Sequence, residues 1–317
     1  MALSDKLRCC LLKTGMLLFL CCLLVFPAAA LSGAKNGLML WFHQVLPSLL
    51  PFLILSTLFL STGLSDSIAR LFAPVLSPIF RCSPSGCYAV VIGLLAGLPV
   101  GAKTIASLTE SGRITKKEGE YLLPLCNNPS PLFLLGFISV SVLNRPDLRY
   151  AVLLIVTGSS ILASVLLRPH ADTAPDSEPS FYESTTNHTF TFSFLLLDAA
   201  IEHAFSALTK VGGYIILFSV LSAFLTKLPL SSFNLACLSS FLEITSGSTA
   251  LASQTLPSSV FIPVITGFVT FGGLSAAAQT KSVLAGIKFP FAHYLLTKAV
   301  AGLIAGLLMT LLLRFQS

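Results

Sequence analysis

The chain consists of long apolar segments separated by short polar connections. Residues 16–31, 38–60, 150–167, 211–225, 258–279 and 289–313 form runs dominated by Leu, Phe, Ala and Gly. A helix needs about 20 mostly apolar residues to cross the hydrocarbon core of a bilayer, and these runs are near that length. None shows the two-residue alternation of an outer-membrane β-barrel. The pattern therefore predicts an all-α, polytopic membrane protein whose surroundings are the lipid bilayer.

Polar or small residues interrupt two apolar segments near their middle. The interruptions are 97–101, Gly-Leu-Pro-Val-Gly, and 245–249, Thr-Ser-Gly-Ser-Thr. Non-helical backbone is tolerated at membrane depth only where protein or a water-filled cavity lines it. Because each interrupted segment is too short for two spans, we predict a re-entrant hairpin of two half-helices at each.

The same order of features recurs in both halves of the chain. The polar patches 127–130 and 272–275 each interrupt a later apolar segment, at a nearly constant offset from the two hairpin breaks. Recurrent breaks of this kind are typical of repeats in secondary transporters. We therefore predict two inverted repeats, each with a re-entrant hairpin and a broken transmembrane helix.

The predicted domains follow from these boundaries. Residues 1–37 form an N-terminal transmembrane segment, 38–168 the first repeat, 169–192 a polar linker and 193–317 the second repeat. The basic start and the small residues near position 30 also resemble a signal peptide, but an uncleaved first span is the favoured interpretation. Residues 65–85 are expected to form a helix at the membrane interface. Four polar residues are assigned to the polar face of a second interfacial helix, with no binding role: Asp198, Glu202, His203 and Lys210.

Composition narrows the functional class. Charged residues make up 10% of the 317-residue chain and hydrophobic residues 54%, whereas about 25% charge is usual in soluble domains. The 19 Lys and Arg residues are scattered between apolar segments, as orientation in a membrane requires, so we predict no nucleic-acid partner. The eight cysteines lack metal-ligand spacing with histidine, and no hydrolase, metalloprotease or nucleotide motif occurs. We therefore predict no metal, no cofactor and no enzymatic activity.

Four polar clusters lie where lipid would penalise them, and together they form the predicted solute site. Discontinuous segments of transporter repeats commonly bind a small-molecule solute. The first cluster contains Gly97, Pro99, Gly101 and Lys103, and the second contains Asn127, Asn128 and Ser130. The third contains Glu243, Thr245, Ser246 and Gly247, and the fourth Gly272, Gly273, Ser275 and Gln279.

Each cluster also has a structural interpretation. Lys103 would attract an anion at the positive end of a half-helix, or extend its amine to the interface. Glu243 would bind a proton or cation that drives transport, or form an ion pair with Lys103 or Lys298. The amides at 127–128 and the glycines at 272–273 would bind solute, or serve close packing between helices. The sequence leaves open whether the chain forms a homo-oligomer.

Several of these motifs resemble a known family. The motifs at 45–52, 97–103, 125–133, 267–275 and 294–298 look like those of the YlbJ-type sporulation integral membrane proteins, in the nucleoside-recognition (Gate) superfamily. The resemblance covers about 38–313 except the linker, and Ser130 replaces an expected glycine. Gate domains resemble half of a concentrative nucleoside transporter, whose paired hairpins and unwound helices hold the substrate.

This resemblance implies a role in endospore formation. The implied activity is movement of dipicolinate across the bacterial inner membrane or a spore-associated membrane. The alternatives are a nucleoside or nucleobase transporter, and a non-transporting assembly protein of the spore envelope. An aromatic dianion is expected to use Lys103 and helix N-termini, whereas a nucleoside is expected to depend on Asn128, Glu243 and Gln279.

Overall fold

The computed structural model describes residues 2–168, 193–284 and 286–316. This described part contains only helices and their connections, with no β-strand. By length and composition, five of its helices are able to cross a membrane, or six if one bent pair counts as a single span. The predicted all-α, polytopic membrane fold is therefore confirmed. The predicted linker, 169–192, lies outside the described residues.

The helices occur in the following order. The first half contains α1 (Ala2–Val25), α2 (Pro27–Leu40), α3 (Leu46–Ser61), α4 (Leu64–Phe80), α5 (Pro84–Ala96), α6 (Val100–Glu110), α7 (Lys116–Cys126) and α8 (Arg149–Leu166). The second contains α9 (Phe194–Leu225), α10 (Ser232–Leu242), α11 (Ile244–Ala252), α12 (Ser258–Phe271), α13 (Gly273–Val283) and α14 (Phe291–Gln316). Trp41–Val45 and Phe133–Val142 are π-helical, and Pro146–Leu148 is a 3₁₀ turn.

The N-terminal spans are divided differently from the sequence prediction. The apolar run 16–31 is interrupted at Phe26, and α2 begins at Pro27. Proline suits the first position of a helix, because its fixed φ is helical and its missing N–H needs no partner there. From Pro27 the chain continues through the π-helical turn as one span, Pro27–Phe59. The span boundaries predicted at 16–31 and 38–60 are therefore wrong, because residues 27–59 form one candidate span.

The first interrupted segment folds back on itself. A Cβ atom on Gly101 would lie 3.3 Å from the Cα atom of Gly93, although eight residues of continuous helix span about 12 Å. The backbone N–H of Ser83, just before α5, donates to Oε1 of Glu118 in α7 at 2.6 Å. The chain therefore enters α5 and returns to the same end after α6, as the predicted hairpin requires. Helix α4 meets α5 at 91°.

The second interrupted segment folds back at Glu243. A Cβ atom on Gly247 would lie 2.1 Å from the Cα atom of Ser240, so α10 and α11 cross where only glycine fits. Both halves thus contain a span, a helical hairpin, a broken helix and a final span in the same order. The opposite membrane orientation of the two halves stays a prediction.

Each broken helix is interrupted where the hairpin of its own half touches it. In the first half the N–H of Leu98 donates to the carbonyl of Asn128 at 2.6 Å. In the second half Gly272 separates α12 from α13, and Gly272 and Gly273 have φ of 93° and 76°, which other residues rarely adopt. A Cβ atom on Gly273 would lie 3.3 Å from the carbonyl oxygen of Leu242 at the second hairpin. The breaks and hairpin tips therefore form two compact crossings.

Candidate functional site

A cavity of about 370 Å³ lies between α6, α9 and α13. Its volume falls within the range of about 300–1,000 Å³ usual for small-molecule sites. Three lining residues have basic side chains, and none of the lining residues in the described part is acidic. They are Pro99, Lys103, His203, Ser206, Ala207, Lys210, Val211, Tyr214, Gln279, Ser282 and Val283.

Lys103 reaches this cavity from the tip of the first hairpin. Helix α6 begins at Val100, directly after the fold-back, and Lys103 lies half-buried in its first turn. The amides at a helix N-terminus and the lysine both favour negative charge. The hairpin break therefore places two sources of positive potential at one wall of the cavity.

Helix α9 supplies the opposite wall. His203, Ser206, Lys210 and Tyr214 recur at helical spacing along one face, and all four line the cavity. His203 and Lys210 were assigned from the sequence to the polar face of an interfacial helix; the structure places both on the cavity wall, and the interfacial position of this end of the helix stays a prediction. Helix α9 is one continuous helix of 32 residues, and this stripe faces the hairpin tip. The i, i+3, i+7, i+11 spacing places these residues on one face of the helix, but it does not show what that face contacts.

A second polar cluster is fully buried between the two halves. Asn127 Nδ2 donates to Thr280 Oγ1 at 2.7 Å and to Tyr294 Oη at 2.9 Å. Lys298 Nζ donates to Asn128 Oδ1 at 2.7 Å. The first helix break is therefore held by side chains of α13 and α14. Tyr294 and Lys298 were not predicted as site residues, although a lysine within an apolar span indicates function.

Two buried acceptors in this region have no hydrogen-bond partner among the described residues. They are Oδ1 of Asn127 and Oε1 of Gln279. Nε2 of Gln279 donates to Ser275 Oγ at 3.2 Å, which leaves its carbonyl oxygen unmatched near the cavity wall. Buried polar atoms are paired in most native structures, so these two atoms indicate places where a solute or water would bind.

Glu243 has a different environment from the other candidates. It is the N-cap of α11, and its carboxylate accepts hydrogen bonds from the backbone N–H groups of Thr245 and Ser246, at 3.0 and 2.8 Å. The hydroxyl groups of the same two residues also donate to it. An acidic N-cap satisfies amides that have no partner in the helix, and here it fixes the tip of the second hairpin.

The structure does not bring Glu243 together with the other charged candidates. Among the described residues, no ion pair joins it to Lys103 or Lys298, so the predicted ion-pair alternative is wrong. No hydrogen bond joins it to Asn128 in this part of the chain either. A coupling role for Glu243 stays a prediction.

The predicted site residues fall into four groups. Pro99, Lys103 and Gln279 line the cavity, whereas Asn127 and Asn128 belong to the buried cluster. Gly97, Gly101, Gly247, Gly272 and Gly273 allow the close backbone approaches and breaks at the crossings. Ser130, Thr245, Ser246 and Ser275 make local hydrogen bonds. No group of His, Cys, Asp and Glu in the described residues is arranged to hold a metal ion.

Comparisons with known proteins agree with this architecture. Residues 42–167 match the Gate family model, described as nucleoside recognition. The chain is 28% identical over 342 aligned positions to the sporulation integral membrane protein YlbJ of Bacillus subtilis (strain 168), covering 97% of this chain and 83% of that protein. No solved structure matches the chain. The protein is therefore an integral membrane protein, similar over residues 42–167 to the nucleoside-recognition (Gate) family and over most of its length to a sporulation integral membrane protein.

Proposed function

We propose that the protein transports a small organic anion across a membrane during endospore formation, and that the solute is an aromatic dicarboxylate such as dipicolinate. The observation that carries this proposal is the cavity beside the first hairpin tip. Lys103, His203 and Lys210 line it, and the described lining contains no acidic side chain. The membrane would be the bacterial inner membrane or a spore-associated membrane.

The chemistry of the cavity suits an aromatic anion. Hydrogen bonds between charged groups and a carboxylate each contribute about 1.5–3 kcal/mol. Lys103 and Lys210 approach from different helices, so each is able to meet one carboxylate of a dianion. Val211 and Tyr214 add apolar surface between them, against which an aromatic ring would pack.

The architecture supports transport rather than simple binding. Paired hairpins and broken helices at matching positions of two halves are typical of secondary transporters. The relative in Bacillus subtilis is described as a sporulation integral membrane protein, which supports the proposed physiological setting. The proposal includes no chemical conversion of the solute.

Uptake by reconstituted vesicles tests the proposal directly. We expect the wild-type protein to take up labelled dipicolinate more readily than picolinate, which has one carboxylate fewer. Lys103→Gln and Lys210→Gln should each weaken dipicolinate affinity roughly 10- to 100-fold, because each removes a charge-assisted hydrogen bond. Lys227→Gln is the matched control, since Lys227 is exposed and lies outside the cavity lining. Equal uptake by all four proteins would contradict the cavity assignment.

The Gate match favours a nucleoside as the second candidate solute. A nucleoside would need neutral hydrogen-bonding groups, and the carbonyl oxygen of Gln279 is free to accept one bond. The amide of Asn128 and the carboxylate of Glu243 are already occupied by internal partners. Saturable uridine uptake without dipicolinate uptake would establish this alternative. Uptake of neither solute would favour the spore-envelope assembly role.

A further inference from the structure

Lys298 is a buried basic residue that does not line the cavity between α6, α9 and α13 (the outer cavity). It lies in α14, and only 1% of its surface is exposed. Its amine donates to Asn128 Oδ1 at 2.7 Å. Within residues 2–168, 193–284 and 286–316, no carboxylate lies within 4.0 Å of it. Lys298 therefore has a neutral amide as its partner and no counter-charge.

The neighbouring helices supply no nearby negative charge. Helix α14 packs against α7, α8 and α12. Helix α12 contains no titratable residue, and α8 carries Arg149 and Tyr150 only in its first turn. The acidic residues of α7, Glu118 and Glu120, lie in its first turns, at the end away from Asn128. An external anion is thus the natural counter-charge for Lys298.

Spare hydrogen-bonding capacity surrounds the amine. An ammonium group has three N–H donors, and the bond to Asn128 uses one of them. The other N–H groups of Lys298 make no hydrogen bond within the described residues, so they are able to donate to a carboxylate. A lysine buried in a membrane without a counter-charge is costly, and such residues usually mark a solute pathway.

A continuous series of contacts connects Lys298 to the outer cavity. Gln279 lines the cavity, and the next residue, Thr280, accepts a hydrogen bond from Asn127. The neighbouring Asn128 accepts from Lys298. A displacement of α13 from this helix break would remove the Asn127–Thr280 contact and open the route to the amine.

We propose that Lys298 is an inner anion-binding residue, occluded in the conformation described here, which receives a carboxylate of the solute after it leaves the outer cavity. The carboxylate would replace Asn128 Oδ1 as the acceptor of the Lys298 amine, and no covalent bond would change. This inference rests on the proposed transport function. It divides the path into an outer station, at Lys103 and Lys210, and an inner station, at Lys298.

Separate measurements of binding and uptake test the inner station. The full chain is reconstituted as wild type, Lys298→Gln, Lys298→Arg and the control Lys227→Gln. Equilibrium dialysis with labelled dipicolinate measures binding, and vesicle uptake measures transport. We expect Lys298→Gln to bind dipicolinate like the wild type but to transport it at least about tenfold more slowly, because the inner charge is lost. Lys298→Arg keeps the charge and should retain more uptake than Lys298→Gln.

The outcomes separate this inference from the function on which it rests. Wild-type uptake together with normal uptake by Lys298→Gln would overturn the inner station alone. Loss of binding, uptake and melting temperature together in Lys298→Gln would identify a structural lysine, and would also overturn it. A wild-type protein that neither binds nor transports dipicolinate would refute the proposed function, and the inner station with it.

Discussion

Replacement of Gly101 by alanine should disturb the first crossing more than any other single methyl group added to that hairpin. A Cβ atom at this position would lie 2.0 Å from the carbonyl oxygen of Cys126 and 2.7 Å from its carbonyl carbon. Both atoms belong to the backbone of α7, so no side-chain rotation relieves the clash. Real Cβ atoms essentially never approach within 3.0 Å, and the two helices must therefore separate by about 1 Å.

That displacement has a local consequence and a functional one. The bond from the N–H of Leu98 to Asn128, now 2.6 Å, would lengthen beyond the usual limit of about 3.2 Å. We expect a loss of stability of about 1–3 kcal/mol, the usual cost of an extra methyl group in a packed interior. Lys103, two residues further along α6, would move with the hairpin, and a 1 Å misplacement of a positioning group can cost on the order of 100-fold in rate.

The assay compares two glycine replacements in the purified protein. Melting is followed by the fluorescence of Trp41, the single tryptophan of the chain, and dipicolinate uptake is measured in vesicles. The control is Gly158→Ala in α8, where nothing lies within 4 Å of the added carbon. Alanine is favoured over glycine within a helix by about 1 kcal/mol, so the control should melt at or above the wild-type temperature. A Gly101→Ala protein that melts and transports like the control would contradict the close approach of α6 to the backbone of Cys126.

Three further changes test other parts of the structure. Glu243→Gln should lower the melting temperature, because an N-cap contributes about 1 kcal/mol and the amide group offers one acceptor oxygen where the carboxylate offers two. An unchanged melting temperature would argue against Glu243 as the N-cap of α11. Tyr294→Phe should cost about 1 kcal/mol of stability and leave dipicolinate binding intact, as measured by melting and dialysis. Cysteines introduced singly at Arg81 and Arg113, in a variant without other cysteines, should react with a membrane-impermeant reagent from one side of the membrane. A cysteine at Gln254 should react from the other side. Reaction of all three from the same side would exclude inverted repeats.

Local sequence signals were sufficient to predict the hairpins. A proline with a glycine two residues away on either side, or a glycine among hydroxyl residues, within an apolar segment breaks the helix at a defined place. The structure shows why glycine is needed at Gly101 and Gly247, because backbone from another helix occupies the Cβ position. The breaks were therefore predictable from residue type, even though the atoms that occupy the space were not.

The cavity was less predictable, because its wall comes from residues distant in sequence. Lys103 was identified from its own hairpin, but His203 and Lys210 belong to a helix whose polar end looks like any interfacial segment. The contacts of Asn127 with Thr280 and of Asn128 with Lys298 join residues 153 and 170 positions apart. Periodicity and local breaks carry no information about such pairs, which depend on how the two halves pack.

The distribution of these contacts indicates which surfaces the proposed transport movement would have to separate. Each hairpin tip is held by backbone contacts and close glycine approaches within its own half, and such contacts tolerate little displacement. Among the described residues, the polar contacts between halves consist of single hydrogen bonds: two from Asn127, one from Lys298 to Asn128, and one from Trp41 to the carbonyl of Leu208. Each contributes about 1 kcal/mol net, but apolar side chains of α8 also pack against α12 and α14 in one buried cluster, and a Cβ atom on Gly33 or Gly37 would lie within 3 Å of α9 backbone. A movement of one half against the other would therefore have to separate this packed apolar interface as well as the polar contacts, and a solute that replaces Asn128 at Lys298 would offset only the polar part of that cost.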